Sequence, residues 1–192
     1  MAKTLYLMRH GETLFNRRKL LQGTSDSALT EHGIEQALRA RVLLDSLVID
    51  HLYCSPLWRA EKTLQVATRN ALPYQTHEGL RVREFGEFEA APWAVCPDYP
   101  YGDFFVPFGG EGEQEFEDRV RSVTHELMGR RRHKSVLVVT HGDFIDMFAR
   151  IWAQHGTIPY DATTIGNCGV IEYSYDDEVF SSVAIHNPGC EG

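Results

Sequence analysis

The stretch that most limits what this chain can fold into is residues 135–139, whose Val-Leu-Val-Val core is apolar at every position instead of at alternate ones. A half-exposed strand alternates; one without alternation is covered on both faces, as the parallel strands of an α/β sheet are. Helices must therefore lie on both sides of the sheet. Thr30 reads as an N-cap, with Ile34, Ala37, Leu38 and Val42 on one face of a helix running to about Leu47. Leu57, Ala60, Leu64 and Ala67 mark a second helix, opened by Ser55 as cap and Pro56 at its first position. Phe116, Val120, Val123 and Leu127 mark a third, closed by Gly129 and the basic run from Arg130 to Arg132. A fourth carries Phe144, Met147, Phe148, Ile151 and Trp152 on one side and stops near His155 and Gly156. Residues 5–8 and 48–53 read as further strands, 80–85 as a short extended segment, and 170–175 with 179–185 as an edge hairpin. The expected fold is α/β, a three-layer sandwich with a mainly parallel central sheet, helices on both faces and a hairpin near the C-terminus.

At 192 residues the chain is expected to form one domain, 1–192, large enough to hold its own core. A formal charge of −8 excludes nucleic acid and anionic membranes as main partners, since both require a basic face. The opening hydrophobic run is too short for a signal peptide or membrane span, and Cys54, Cys96, Cys168 and Cys190 are too scattered for a zinc or redox motif. A cytoplasmic protein with unpaired thiols is expected. Residues 85–118 hold nine carboxylates, many aromatics and no Lys, Arg or His. So long an irregular segment inside a compact domain reads as a lid or binding loop, or else as an acidic, solvated excursion.

Arg9, His10 and Gly11 arrive together where the first strand stops. A guanidinium and an imidazole, with a glycine that lets the backbone come close, suit an anion and a nucleophile; by themselves they equally suit a surface turn. Two other strands end in polar groups, at 55–59 and at 140–143. Strand carboxyl ends in an open α/β sheet face one crevice, so these groups are expected to converge. Two arginines and two histidines in one pocket of an acidic protein make a site for a phosphoryl dianion. Singly, Arg59 reads as a solvated helix residue, Glu84 as an exposed acid and Asp143 as an acid at a helix N-terminus.

Leu7-Met8-Arg9-His10-Gly11-Glu12-Thr13, followed by Asn16, Gln22-Gly23, Leu29-Thr30 and Gly33, then Ser55-Pro56-Leu57-Trp58-Arg59-Ala60, Arg83-Glu84-Phe85-Gly86 and Val139-Thr140-His141-Gly142, resembles the histidine phosphatase superfamily, also called phosphoglycerate mutase-like. The ordered set covers nearly the whole chain. The resemblance implies that His10 is the nucleophile and forms a phosphohistidine. Arg9, Arg59 and His141 would hold the phosphoryl oxygens, and Glu84 would be the proton donor. Asn16, Gln22, Gly23 and Gly142 would contact the phosphoryl group or substrate. No metal and no cofactor are implied. Imidazole suits the role, being a neutral nucleophile near pH 7 whose adduct splits one displacement into two easier ones.

The expected activity is a phosphomonoesterase of the histidine acid phosphatase type, acting on a small phosphate ester as monomer or homodimer. Two alternatives are a cofactor-dependent phosphoglycerate mutase and a non-catalytic phospho-ligand or protein-binding module on the same fold. The chain departs from the family pattern twice. Gly86-Glu87-Phe88-Glu89-Ala90 stands where the family often has Gly-x-Trp-Glu-Gly, and Asp143-Phe144 where many members have small or apolar residues. The aromatic, acidic segment after Glu84 points to a substrate whose remainder is neutral, aromatic or cationic, received by Phe85, Phe88, Trp93 and Tyr99.

Overall fold

A computed structural model describes residues 2–159 and 165–188. Cys190 lies outside them. Six strands, β1 (Lys3–Arg9), β2 (His51–Cys54), β3 (Tyr74–Thr76), β4 (Ser135–Thr140), β5 (Val170–Asp176) and β6 (Val179–His186), form one sheet in the order β3-β2-β4-β1-β5-β6. β1, β2, β3 and β4 run parallel, and β5 pairs antiparallel with β1 and β6. Of the hairpin only β6 is an edge; β5 sits inside the sheet.

Helices α1 (Leu14–Arg18), α2 (Glu31–Leu44), α3 (Trp58–Thr68), α4 (Glu113–Gly129) and α5 (Gly142–Ile151) complete the fold. Alternation along the strands divides the core. Leu5, Leu7, Val136 and Val138 pack with α4 and α5, whereas Tyr6, Met8, Leu137 and Val139 pack with α2 and α3. The fully apolar β4 is covered on both faces, as its composition requires.

α2 departs from the expected pattern. Thr30 caps it, its hydroxyl accepting from the Gly33 N–H at 2.9 Å, but the buried face is Gly33, Gln36, Ala37, Ala40 and Leu44. Ile34, Leu38 and Val42 are exposed. The small face goes inward because the helix packs closely; a Cβ on Gly33 would lie 2.1 Å from the Glu12 carbonyl oxygen. α2 also ends at Leu44 and β2 begins only at His51. α3 opens at Trp58 with Leu57 as an N-cap that makes no side-chain bond. The Ser55 hydroxyl accepts from the Leu57 N–H at 3.3 Å but lies outside the helix.

Residues 80–85 form no strand: a 3₁₀ turn ends at Leu80 and irregular backbone follows. The acidic segment is largely exposed but anchored inward. Its short 3₁₀ turns Gly86–Phe88, Trp93–Val95 and Val106–Phe108 enclose a satellite core in which Phe85 and Phe105 stack edge-to-face at 4.9 Å beside Leu21. Its last residues, from Glu113, already belong to α4.

Candidate active site

β1 and β4 are adjacent and in register, Arg9 opposite Thr140, so the residues just beyond them, His10 and His141, emerge side by side. Their rings meet edge-to-face, 5.3 Å between centroids, at the wall of a cavity of about 90 Å³. Arg9, Asn16, Gln22 and Gly142 line the same cavity. α5 begins here, its N-cap His141 making no side-chain bond to the first turn. The helix N-terminus is therefore left open toward the cavity, a position that favours anions.

His10 is buried and held by its backbone. Its Nδ1–H donates to the Gly11 carbonyl at 2.8 Å, which leaves Nε2 with its lone pair. Desolvation, then the charges of Arg59 and Arg9, push its pKa well below the ordinary histidine value. The ring is neutral at neutral pH. His141 is shifted the same way, by desolvation first and then by Arg59. Its Nε2 meets the Ser55 hydroxyl at 2.7 Å, and its buried Nδ1 has no partner.

The two arginines differ. Arg9 lines the cavity, one end nitrogen donating to the Ile165 carbonyl at 3.2 Å, and its buried Nε has no partner. A Cβ on Gly142 would sit 3.4 Å from this guanidinium, so the glycine lets the start of α5 close over it. Arg59 is wholly buried and does not line the cavity. Its head donates to the Gln22 and Gly23 carbonyls at 3.2 and 2.8 Å and to Asp26 at 2.8 Å. A guanidinium without water must find acceptors, and these lie in the loop after α1. Arg59 thus braces that loop and reaches the cavity through its charge.

Gly23 also stands behind the cavity. Its N–H donates to Glu89 at 3.2 Å, and the same carboxylate accepts from Thr24, Ser25 and Phe85 at 3.0, 3.0 and 3.3 Å. Gln22 is fixed between the Thr13 hydroxyl at 2.6 Å and the Ser27 hydroxyl at 3.0 Å. Asn16 accepts from the Thr13 N–H and serves α1 as part of a capping box.

Glu84 does not line this cavity: it is about half exposed, pairs with Arg81 at 3.3 Å, and lines a cleft with Gly110, Glu111 and Arg119. Of residues 80–85, Val82 and Phe85 stand at the cavity wall. Of the expected aromatic wall, Phe85 and Trp93 line the cavity, joined by Tyr101; Phe88 and Tyr99 do not. Asp143 lines it too, a position that sequence alone assigns to the helix dipole. Ser55 belongs to a motif already matched, whereas Thr63, which accepts from the Gly11 N–H at 3.0 Å, and Asn167, which donates to the His10 carbonyl at 2.9 Å, are supports that no motif marks.

A strand-end histidine pair, one ring neutral and turned to an anion site at a helix N-terminus, defines the class. The chain matches the histidine phosphatase superfamily (branch 1) over residues 5–188 and belongs to it. It is 33% identical over 150 residues to the adenosylcobalamin/alpha-ribazole phosphatase of Escherichia coli K12, spanning 71% of this chain and 72% of that one. YhfR of Bacillus stearothermophilus superposes with a TM-score of 0.83 at 26% identity, covering 94% of this chain and 95% of that one. Phosphoglycerate mutase from Bacillus anthracis shares the fold, with a TM-score of 0.82 at 22% identity over 97% of this chain and 94% of that one. Among the described residues no helix is long and apolar enough to cross a membrane.

Proposed function

We propose that the protein is a phosphomonoesterase that hydrolyses small phosphate esters through a phosphohistidine on His10. The observation that carries this reading is the Nδ1–H bond from His10 to the Gly11 carbonyl, which presents a neutral Nε2 to the cavity shared with Arg9 and His141. Nε2 attacks phosphorus in line with the ester oxygen. The buried Arg9 Nε and His141 Nδ1 lack partners, and a phosphoryl oxygen supplies acceptors for both. With the Ser55 hydroxyl donating to Nε2 of His141, Nδ1 carries the hydrogen and faces the phosphoryl group as a donor. Arg59 adds field from behind, and Asn16 and Gln22 bound the site. Such preorganised donors act on a loose transition state whose charge spreads over the equatorial oxygens.

Hydrolysis is favoured over phosphoryl exchange between two anionic positions. The cavity opens to solvent on one side, so the remainder of a substrate extends along its wall. The segment that continues its wall, 85–112, carries no cationic side chain, so a second phosphate or carboxylate meets no partner there. Phe85, Trp93 and Tyr101 suit a neutral, aromatic or cationic remainder. A metabolite phosphatase panel tests the reading. Hydrolysis of neutral-tailed monophosphates that vanishes in His10→Ala is expected; a preference for phosphoglycerates or bisphosphates, or full activity of His10→Ala, refutes it.

A further inference from the structure

The His10 ring presents Nε2 to the cavity because the Gly11 carbonyl holds its Nδ1–H, so whatever fixes that carbonyl also fixes the ring. The Gly11 carbonyl and the Glu12 N–H belong to one planar peptide unit. The Glu12 N–H donates at 2.9 Å to Oε1 of Gln36, a buried residue on the inner face of α2. Resting on the phosphohistidine reading above, we propose that Gln36 is a positioning residue for His10: it grips one end of this peptide from α2 and so aims the carbonyl at the other end toward the ring.

The neighbouring peptides have other holders. Between His10 and Gly11 the N–H donates to the Thr63 hydroxyl at 3.0 Å and the carbonyl accepts from Asn167 at 2.9 Å. Beyond Glu12 the carbonyl accepts from the Thr30 N–H at 2.9 Å. The peptide between Gly11 and Glu12 has Gln36 at one end and the His10 ring at the other. Glycine at 11 lets the end of β1 come against α2, since a Cβ there would lie 2.6 Å from the Gly33 carbonyl oxygen. The same glycine gives this peptide the most freedom to turn, and a side-chain anchor removes that freedom.

Donors and acceptors allow one arrangement of the Gln36 amide. A backbone N–H only donates, so Oε1 faces Glu12 and Nε2 faces away. There it meets Nε2 of His32, four residues earlier on α2, at 3.1 Å. An amide nitrogen only donates, so the His32 Nε2 accepts, and the hydrogen of that ring sits on Nδ1, 4.0 Å from the Glu35 carboxylate. His32 thereby keeps the amide from turning over, which would set its NH₂ group against the Glu12 N–H. Gln36 does not line the cavity, so it acts on the aim of the ring and not on the phosphoryl group.

Gln36→Met keeps the length of the side chain and removes the acceptor. With p-nitrophenyl phosphate as substrate, kcat is expected to fall by up to about 10²-fold, the loss that a misplaced reacting group brings. KM and the thermal shift given by inorganic phosphate should change little, because the anion donors keep their places. Gln36→Glu, which still accepts from the Glu12 N–H, should recover most of kcat. Nitrogen-15 spectra of the imidazole rings read the geometry directly: in the wild type His10 and His32 both carry the hydrogen on Nδ1, and in Gln36→Met His10 becomes a mixture of the two tautomers. A wild-type kcat in folded Gln36→Met, a kcat in Gln36→Glu no better than in Gln36→Met, or lost stability with the His10 tautomer unchanged overturns the proposal. Where Gln36→Met does not fold, the wild-type spectrum and Gln36→Glu decide: a His32 hydrogen on Nε2, or a kcat in Gln36→Glu lowered by about 10²-fold, overturns it. His10→Ala separates the two readings. Its full activity refutes the phosphohistidine, whereas an inactive His10→Ala beside an unaffected Gln36→Met overturns the role of Gln36 alone.

Discussion

His10 and His141 are buried, neutral and held below the usual histidine pKa, and this fixes how the fold responds to acid. The sign follows from proton counting. Above about pH 6.5 neither the folded nor the unfolded imidazole is charged, and the histidines contribute no pH dependence. Below it the unfolded chain binds protons that the folded one refuses, so folding weakens as pH falls until the folded pKa is reached. Each such proton is worth about 1.4 kcal/mol per pH unit, so lowering the pH from about 7.5 to about 5.5 costs about 1.4 kcal/mol per histidine, or about 3 kcal/mol for the pair. Asp143 has the opposite sign, its raised pKa removing stability as pH rises, so a comparison of variants isolates the histidines. Urea unfolding of the wild type and of His10→Asn with His141→Asn, followed by fluorescence across this range, reads the difference directly. The wild type should lose about 3 kcal/mol more than the double variant. Equal pH dependence in the two proteins would refute the reasoning, because it would mean that the rings ionise as readily in the folded site as in the unfolded chain.

Glu89→Ala should destabilise the fold by about 2 kcal/mol and weaken inorganic phosphate binding, because four backbone N–H groups at 23–25 and 85 lose one shared carboxylate; denaturant unfolding and a phosphate-dependent thermal shift check both. Gly86→Ala should cost about 2 kcal/mol or more, since the residue has φ +57° and a Cβ would meet the Phe108 carbonyl oxygen at 2.0 Å. An unchanged Tm in that variant would contradict the packing of the aromatic segment.

The paired histidines were legible because each ends a strand that hydrophobic pattern alone identifies, and adjacency of β1 and β4 needs only the general geometry of parallel sheets. Helices α4 and α5 were legible from their apolar faces, although α5 ends at Ile151, short of the expected stop near His155 and Gly156. What failed was local. α1 has five residues and is held by a capping box between Thr13 and Asn16, too little for a periodic signal. β3 has three, largely exposed. α2 buries its small face because packing distance outweighs the apolarity of Ile34, Leu38 and Val42. Where Glu84 would sit was not legible because residues 80–85 follow no strand period.

The separation of the two histidines is inherited from the ladder between β1 and β4, in which strands lie about 4.8 Å apart. It works as a gauge cut into the sheet, indifferent to what the surrounding loops become. A change of one residue in the length of either strand would spoil it, whereas residues 85–112 can be exchanged or redrawn without touching it. That division fits a fold that superposes at a TM-score of 0.82 with 22% identity: the spacing of the histidines is set by the main chain, and the loops around them are free to differ.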